Sequence, residues 1–140
     1  MRSFDSLTMI LRTLPLTIPD LEATIVVNAE GSLLATSRRG GLRAIPRLAL
    51  ALLRESKRLV TSIGRGTLEV VMVRDSEGFT IFTPVEDSIV IVETSSTVDF
   101  DCIVRVIQRI ARLVIRLRRT DAGTSPDAMV SDVDVRAPLV

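Results

Sequence analysis

Histidine is absent from all 140 residues, which removes the side chain that most often serves as general base or metal ligand near neutral pH. Cys102 is the single cysteine, so no intrachain disulfide forms and the chain fits a reducing compartment. With no histidine to activate it, Cys102 reads as a small core residue beside Phe100 and Ile103, not as a nucleophile. Tryptophan and tyrosine are also missing and aromatic residues reach only 3%, which leaves the core to Val, Ile and Leu and removes a stacking platform for single-stranded nucleic acid. No apolar run approaches the roughly 18 residues of a membrane span. No signal-peptide core follows Met1-Arg2-Ser3-Phe4-Asp5, so a cytoplasmic location without membrane insertion is expected. Lysine is nearly absent: Lys57 is one of 18 basic residues, and arginine carries the rest.

What remains is a chain with 46% hydrophobic residues and the length of one ordinary domain. Its net charge of +1 is unevenly placed. Residues 1–119 hold 17 basic and 13 acidic side chains, whereas Asp121, Asp127, Asp132 and Asp134 face only Arg136 beyond them. The resulting body charge of +4 is too small to draw nucleic acid. The expected division is a domain over 1–119 and a disordered acidic tail over 120–140, whose Asp, Ser, Ala and Pro content buries too little to offset ordering entropy. Val130, Val133, Val135, Leu139 and Val140 leave room for a short binding segment within that tail.

Periodicity supplies the order of elements. Leu7, Ile10, Leu11 and Leu14 recur at helical spacing, and Pro15 is expected to end that opening helix. Thr24-Ile25-Val26-Val27 reads as a strand, Asn28-Ala29-Glu30-Gly31 as a turn, and Leu33 to Ser37 as the returning strand. After Arg38-Arg39-Gly40-Gly41, Pro46 suits the first turn of a middle helix that runs to about Ile63. Leu68 to Arg74, Phe79 to Val85 and Ser88 to Glu93 form a meander, and helical spacing returns from Val98 to Arg119. Ile25-Val26-Val27 and Ile89-Val90-Ile91-Val92 are apolar on both faces, which places these strands centrally with helices on both sides. The expected fold is α/β: a three-layer sandwich around a five-stranded antiparallel sheet, in the order α-β-β-α-β-β-β-α.

Catalytic chemistry finds little support. Gly40-Gly41 precedes a helix but is followed by Leu42-Arg43-Ala44 where a phosphate loop requires Gly-Lys-Ser/Thr. Glu86 and Asp87 sit in a solvated hairpin turn, and Asp99 reads as the cap of the closing helix. The arginines are better organised. Arg105, Arg109, Arg112 and Arg116 share a stripe on the closing helix, opposite an apolar face of Ile103, Val106, Ile107, Ile110, Val114 and Leu117. On the middle helix Arg43, Arg47, Arg54, Lys57 and Arg58 share a face with Leu50 among them, while Leu48, Ala49, Leu52, Leu59 and Ile63 are assigned to the buried side.

The stretches from Ile18 to Ala35 and from Phe79 to Val85, together with the element order, resemble the Roadblock family of dynein light chains and bacterial polarity regulators. The same order is similar to longin-like and profilin-like sandwiches. The resemblance covers about Phe4 to Arg119 and departs from the family pattern at Asp20 and Glu22, and at Asp101 and Cys102, where similar proteins often carry glycine. It implies a dimer, with itself or a Roadblock paralogue, in which sheets join edge to edge and middle helices pack together. Leu68, Val70, Val71, Met72 and Val73 are then the expected dimer edge, an interpretation that their low charge supports independently. The resemblance also implies a non-enzymatic scaffold or regulator of a small Ras-like GTPase, with Arg47, Leu50, Arg54 and Arg58 as the expected partner surface and no cofactor. The alternatives are a structural assembly subunit with no nucleotide-linked partner and a small-ligand sensor, the latter disfavoured by the lack of convergent polar residues.

Overall fold

A computed structural model describes residues 2–121, and the tail from residue 122 onward lies outside the described residues. The elements follow in the expected order: α1 (Arg2–Thr17), β1 (Leu21–Asn28), β2 (Leu33–Thr36), α2 (Ile45–Ser62), β3 (Val71–Arg74), β4 (Gly78–Val85), β5 (Ser88–Ser95) and α3 (Phe100–Asp121). The five strands form one sheet in the order β2-β1-β5-β4-β3, with antiparallel pairing throughout. Alternation divides the core into two layers. Val26, Val90, Val92 and Ile81 face α1 and α3, while Ile25, Val27, Ile89 and Ile91 face α2. The runs that are apolar on both sides occupy β1 and β5, as expected, and Ile25 to Val27 and Ile89 to Val92 are buried.

Two hairpin turns use the same local device. Asn28 Oδ1 accepts the N–H groups of Glu30 and Ser32 at 3.0 and 2.9 Å, and Asp75 Oδ1 accepts those of Glu77 and Gly78 at 2.7 and 2.9 Å. Such side-chain turns satisfy backbone donors at the tip and hold the register of each hairpin. Asp20, one of the departures from the family pattern, also has a structural role. Its Oδ1 accepts from the hydroxyls of Ser95 and Thr97 at 3.0 and 3.1 Å, tying the start of β1 to the end of β5. Asp99 Oδ1 accepts from Asp101 N–H at 3.0 Å, the cap expected for α3.

Three boundaries differ from expectation. Pro15 does not end α1, which continues to Thr17 with Ile18 N–H and Thr17 Oγ1 both donating to the Leu14 carbonyl. A proline removes its own N–H and crowds the previous turn, but the turn beyond it still closes when other donors are available. The strand expected from Leu68 begins only at Val71. Continuing the register past Val71↔Phe82 would set Glu69 opposite Pro84, which has no N–H to offer a ladder. The closing helix starts at Phe100, with Asp99 before it as cap.

Gly78 is fixed by space. A Cβ at this position would lie 1.9 Å from the Thr94 carbonyl oxygen on β5. Gly78→Ala is expected to destabilise the chain by about 1–3 kcal/mol through overpacking, read as a lower urea midpoint with an unchanged slope.

Candidate partner interface

The middle helix carries three separate faces. Ala49 and Leu53 are buried against Ile25, Val27, Ile89 and Ile91, the natural seam of a helix lying over two strands, and Pro46 in the first turn is buried as well. To one side of this seam run Leu48, Leu52, Leu59 and Ile63, at steps of four, seven and four. To the other run Arg47, Arg54 and Arg58, all exposed, with Leu50 below them.

The apolar flank corrects the expectation that Leu48, Leu59 and Ile63 are core residues. They are 65%, 62% and 61% exposed. Apolar positions on α2 span an arc wider than one helix can bury against a sheet, so one flank of that arc stays in water. This width was the signal available in the sequence.

Beside that flank lies a groove of about 380 Å³, walled by Leu48 and Leu52 on the helix and by Thr80, Phe82 and Ile91 on the sheet. The Arg38 guanidinium lines it too, donating through one nitrogen to both Glu93 carboxylate oxygens at 3.1 and 3.2 Å. Arg38 is therefore engaged with Glu93 and does not form an anion cradle with the neighbouring glycines. Beyond Phe82 the sheet ends at β3, whose outer edge pairs with nothing among the described residues. By register, Val71 opposite Phe82 and Val73 opposite Thr80 face the α2 side, and Met72 opposite Ile81 faces the other. Val70, Met72 and Val73 are exposed, whereas Leu68 is half-buried and precedes the strand. The groove, the apolar flank and the bare edge make one surface.

Leu50 does not stand at the centre of an exposed basic face. It is half-buried, packed into the α2 side of the core, and a Cβ at Gly31 would lie 3.7 Å from its Cδ2. Arg54 and Lys57 line a small cleft of about 80 Å³ with Leu50 and the Glu86-Asp87 turn. Arg58 pairs with Glu55 at 2.9 Å, but both side chains are largely in water, where such a pair is weak and readily exchanged.

The acidic side chains are dispersed over separate structural roles: Glu93 serves Arg38, Asp87 meets Arg118 at 2.6 Å, and Asp99 caps α3. Among the described residues no three His, Cys, Asp or Glu side chains are grouped to hold a metal ion. No described helix is long and apolar enough to cross a membrane. On α3, Arg105 and Arg109 are exposed as expected, whereas Arg112 and Arg116 are half-buried. Cys102 is half-buried.

Residues 11–93 match the family model of the Roadblock/LC7 domain. Among solved structures the chain is similar to the gliding protein MglB of Thermus thermophilus, with a TM-score of 0.69 at 10% identity, covering 82% of this chain and 90% of that one. Similarity to Myxococcus xanthus MglB gives a TM-score of 0.68 at 11% identity, with coverage of 84% and 90%. For a Roadblock/LC7 domain from Streptomyces avermitilis the values are 0.62 and 11%, with coverage of 83% and 94%. At such identities these likenesses speak for the fold. No curated protein sequence matches the chain.

The different settings of Leu50 and Arg54 lead to opposite outcomes on charge substitution. Leu50→Glu should lower unfolding free energy by about 1–2 kcal/mol, because it removes a half-buried apolar side chain from α2 packing. Arg54→Glu should stay within about 0.5 kcal/mol of the parent, as exposed substitutions usually do. Urea denaturation of both variants checks the pair.

Proposed function

Because the chain belongs to the Roadblock/LC7 domain family, we propose that it is a dimeric, non-enzymatic regulatory scaffold for a small Ras-like GTPase. One observation carries the dimer: the exposed apolar flank of α2 adjoins the uncovered groove and the unpaired edge of β3. Joining two β3 edges extends the ladder through free backbone donors and acceptors, with Val71 and Val73 on the α2 side and Met72 on the other. The same operation sets the flanks of two middle helices, Leu48, Leu52, Leu59 and Ile63, over the seam. Val70 and Leu68 lie just before the paired segment and extend the contact. A paralogue with a matching edge satisfies the same geometry.

Dimerisation by the apolar flank turns Arg47, Arg54 and Arg58 outward from both copies, which forms a basic platform. A GTPase that brings carboxylates to this platform meets planar guanidinium forks whose stems also cover apolar surface. Leu50 supports the platform from beneath. The chain contributes no arginine finger in this reading. A GTPase-activating effect, where it occurs, comes from ordering the GTPase's own residues.

Light scattering should give twice the chain mass at micromolar concentration, and Leu59→Glu combined with Ile63→Glu should give a folded monomer by scattering and circular dichroism. A parent that is monomeric at all concentrations, and remains so with each paralogue from its source cell, removes the assembly. Arg54→Glu with Arg58→Glu should leave the dimer intact and weaken binding to the cognate GTPase by about 1–3 kcal/mol. Titration calorimetry against the GDP and GTP-analogue forms measures it. A stable dimer that binds neither form of any Ras-like GTPase of its source cell would instead establish the structural subunit without a nucleotide-linked partner.

A further inference from the structure

The layer formed by α1 and α3 lies on the side of the sheet opposite α2, and its charge is of one sign. From Ser6 to Thr17 and from Cys102 to Arg119 these helices carry one arginine and six, with no aspartate or glutamate among them. Their acidic residues stand at the ends: Asp5 and Asp101 in the first turns, and Asp121 at the close of α3. Asp87 reaches the layer from the β4–β5 turn and is taken up by Arg118. Arg12, Arg105 and Arg109 are exposed and form no ion pair among the described residues.

The same layer exposes apolar groups. Met9 and Leu16 on α1 are 64% and 82% exposed. Two turns and about 10 Å separate them along one side of the helix, opposite the buried Leu7, Leu11 and Leu14. Between α1 and α3 runs a groove of about 190 Å³, with Ile10 and Leu14 on one wall and Val106, Ile110 and Leu113 on the other. Arg105 and Arg109 line it as well.

We propose that this face binds the surface of an anionic lipid bilayer. Cations beside an apolar floor match a molecule that is anionic at one end and apolar at the other, which is the chemistry of an acidic phospholipid. The guanidinium forks of Arg105 and Arg109 pair with phosphate or carboxylate groups of the headgroups, and their stems cover the apolar wall beneath. A protein partner fits less well. Met9 and Leu16 stand singly and make no continuous apolar centre of the kind a protein interface closes over, whereas isolated apolar side chains enter the headgroup region one at a time. Nor does the face alternate acids with bases, the arrangement that sets the register of a protein complex. The core sides of both helices stay on the sheet, so the attachment is peripheral, in keeping with the lack of a membrane-crossing helix among the described residues. It is independent of the α2 surface and of any GTPase.

Co-sedimentation of the full chain at low salt tests the assignment, with vesicles of phosphatidylcholine alone or mixed with about one-third phosphatidylserine. The chain should sediment with the mixed vesicles and stay in solution with the neutral ones. Arg105→Gln with Arg109→Gln should lower the partition coefficient roughly tenfold, and Met9→Ser with Leu16→Ser roughly fivefold. Arg43→Gln with Arg65→Gln removes the same charge at the two ends of α2 and should stay within about twofold of the parent. All six replaced side chains are exposed, so each variant should fold, which circular dichroism checks. Equal binding to neutral vesicles, or binding to neither, overturns the proposal. So does a control pair that loses as much as the Arg105 and Arg109 pair, because binding then follows net charge and not this face. Parental affinity in the Met9 and Leu16 variant overturns it too, since no apolar contact with the bilayer is then made. A chain that ignores both vesicles but captures a polyglutamate peptide through Arg105 and Arg109 would assign the face to an acidic protein instead.

Discussion

The structure depends on two strands that are apolar on both sides. β1 and β5 lie next to each other, and their Ile and Val side chains must be removed from water above and below the sheet. Five strands at about 4.8 Å spacing make a sheet about 24 Å wide including its margins, whereas a helix covers about 10 Å. Two helices therefore close one face and a single helix cannot close the other. α1 and α3 cover the first. α2 packs on Ile25, Val27, Ile89 and Ile91 of the second and reaches the end of β4 at Pro84, and the sheet beside Thr80, Phe82 and β3 remains open. The apolar flank of α2 is the matching half of the same deficit, because it faces the space where a second helix would have been.

The chain thus has a finished face and an unfinished one, and its charge is arranged accordingly. Arginines flank α2 on the side away from the open groove, and the Arg38–Glu93 pair sits within that groove, half-buried and mutually satisfied. Such a pair limits which surfaces can approach, because any partner that covers it must leave the contact undisturbed. Apolar area sets how strongly the open face associates, and the polar pair restricts with what.

Most of the architecture was legible in the sequence because it rests on local chemistry. Asn28 and Asp75 announced their turns, the doubly apolar runs announced the sheet centre, and Asp99 announced its cap. The errors came where a residue's fate was set by an element far along the chain. Pro15 signalled a stop that the donors of Thr17 and Ile18 override. Val71 starts its strand late because Pro84, thirteen residues on, has no N–H to lend. Leu48, Leu59 and Ile63 were read as core because helical periodicity identifies an apolar arc but not how much of it a neighbouring layer covers. Of the candidate surface, the exposure of Arg47, Arg54 and Arg58 and the bare edge at β3 were legible, whereas Leu50 is half-buried and its neighbours Leu48, Leu59 and Ile63 are exposed.

The pairing of β1 with β5 governs how the chain folds. Every other ladder joins strands adjacent in sequence, so the β1–β2 hairpin and the β3–β4–β5 meander can form from contacts close along the chain. The seam between them joins Asn28 to Ser88 and Leu21 to Thr94, separations of 60 and 73 residues. Loop-closure entropy is concentrated at that one seam, and only when it closes do α1 and α2 acquire a complete surface to pack upon. The order of events is thus written into the strand order: two preformed halves meet along their most apolar strands. Until they meet, each half exposes an apolar edge, and a newly made chain is most vulnerable to wrong pairing during that interval.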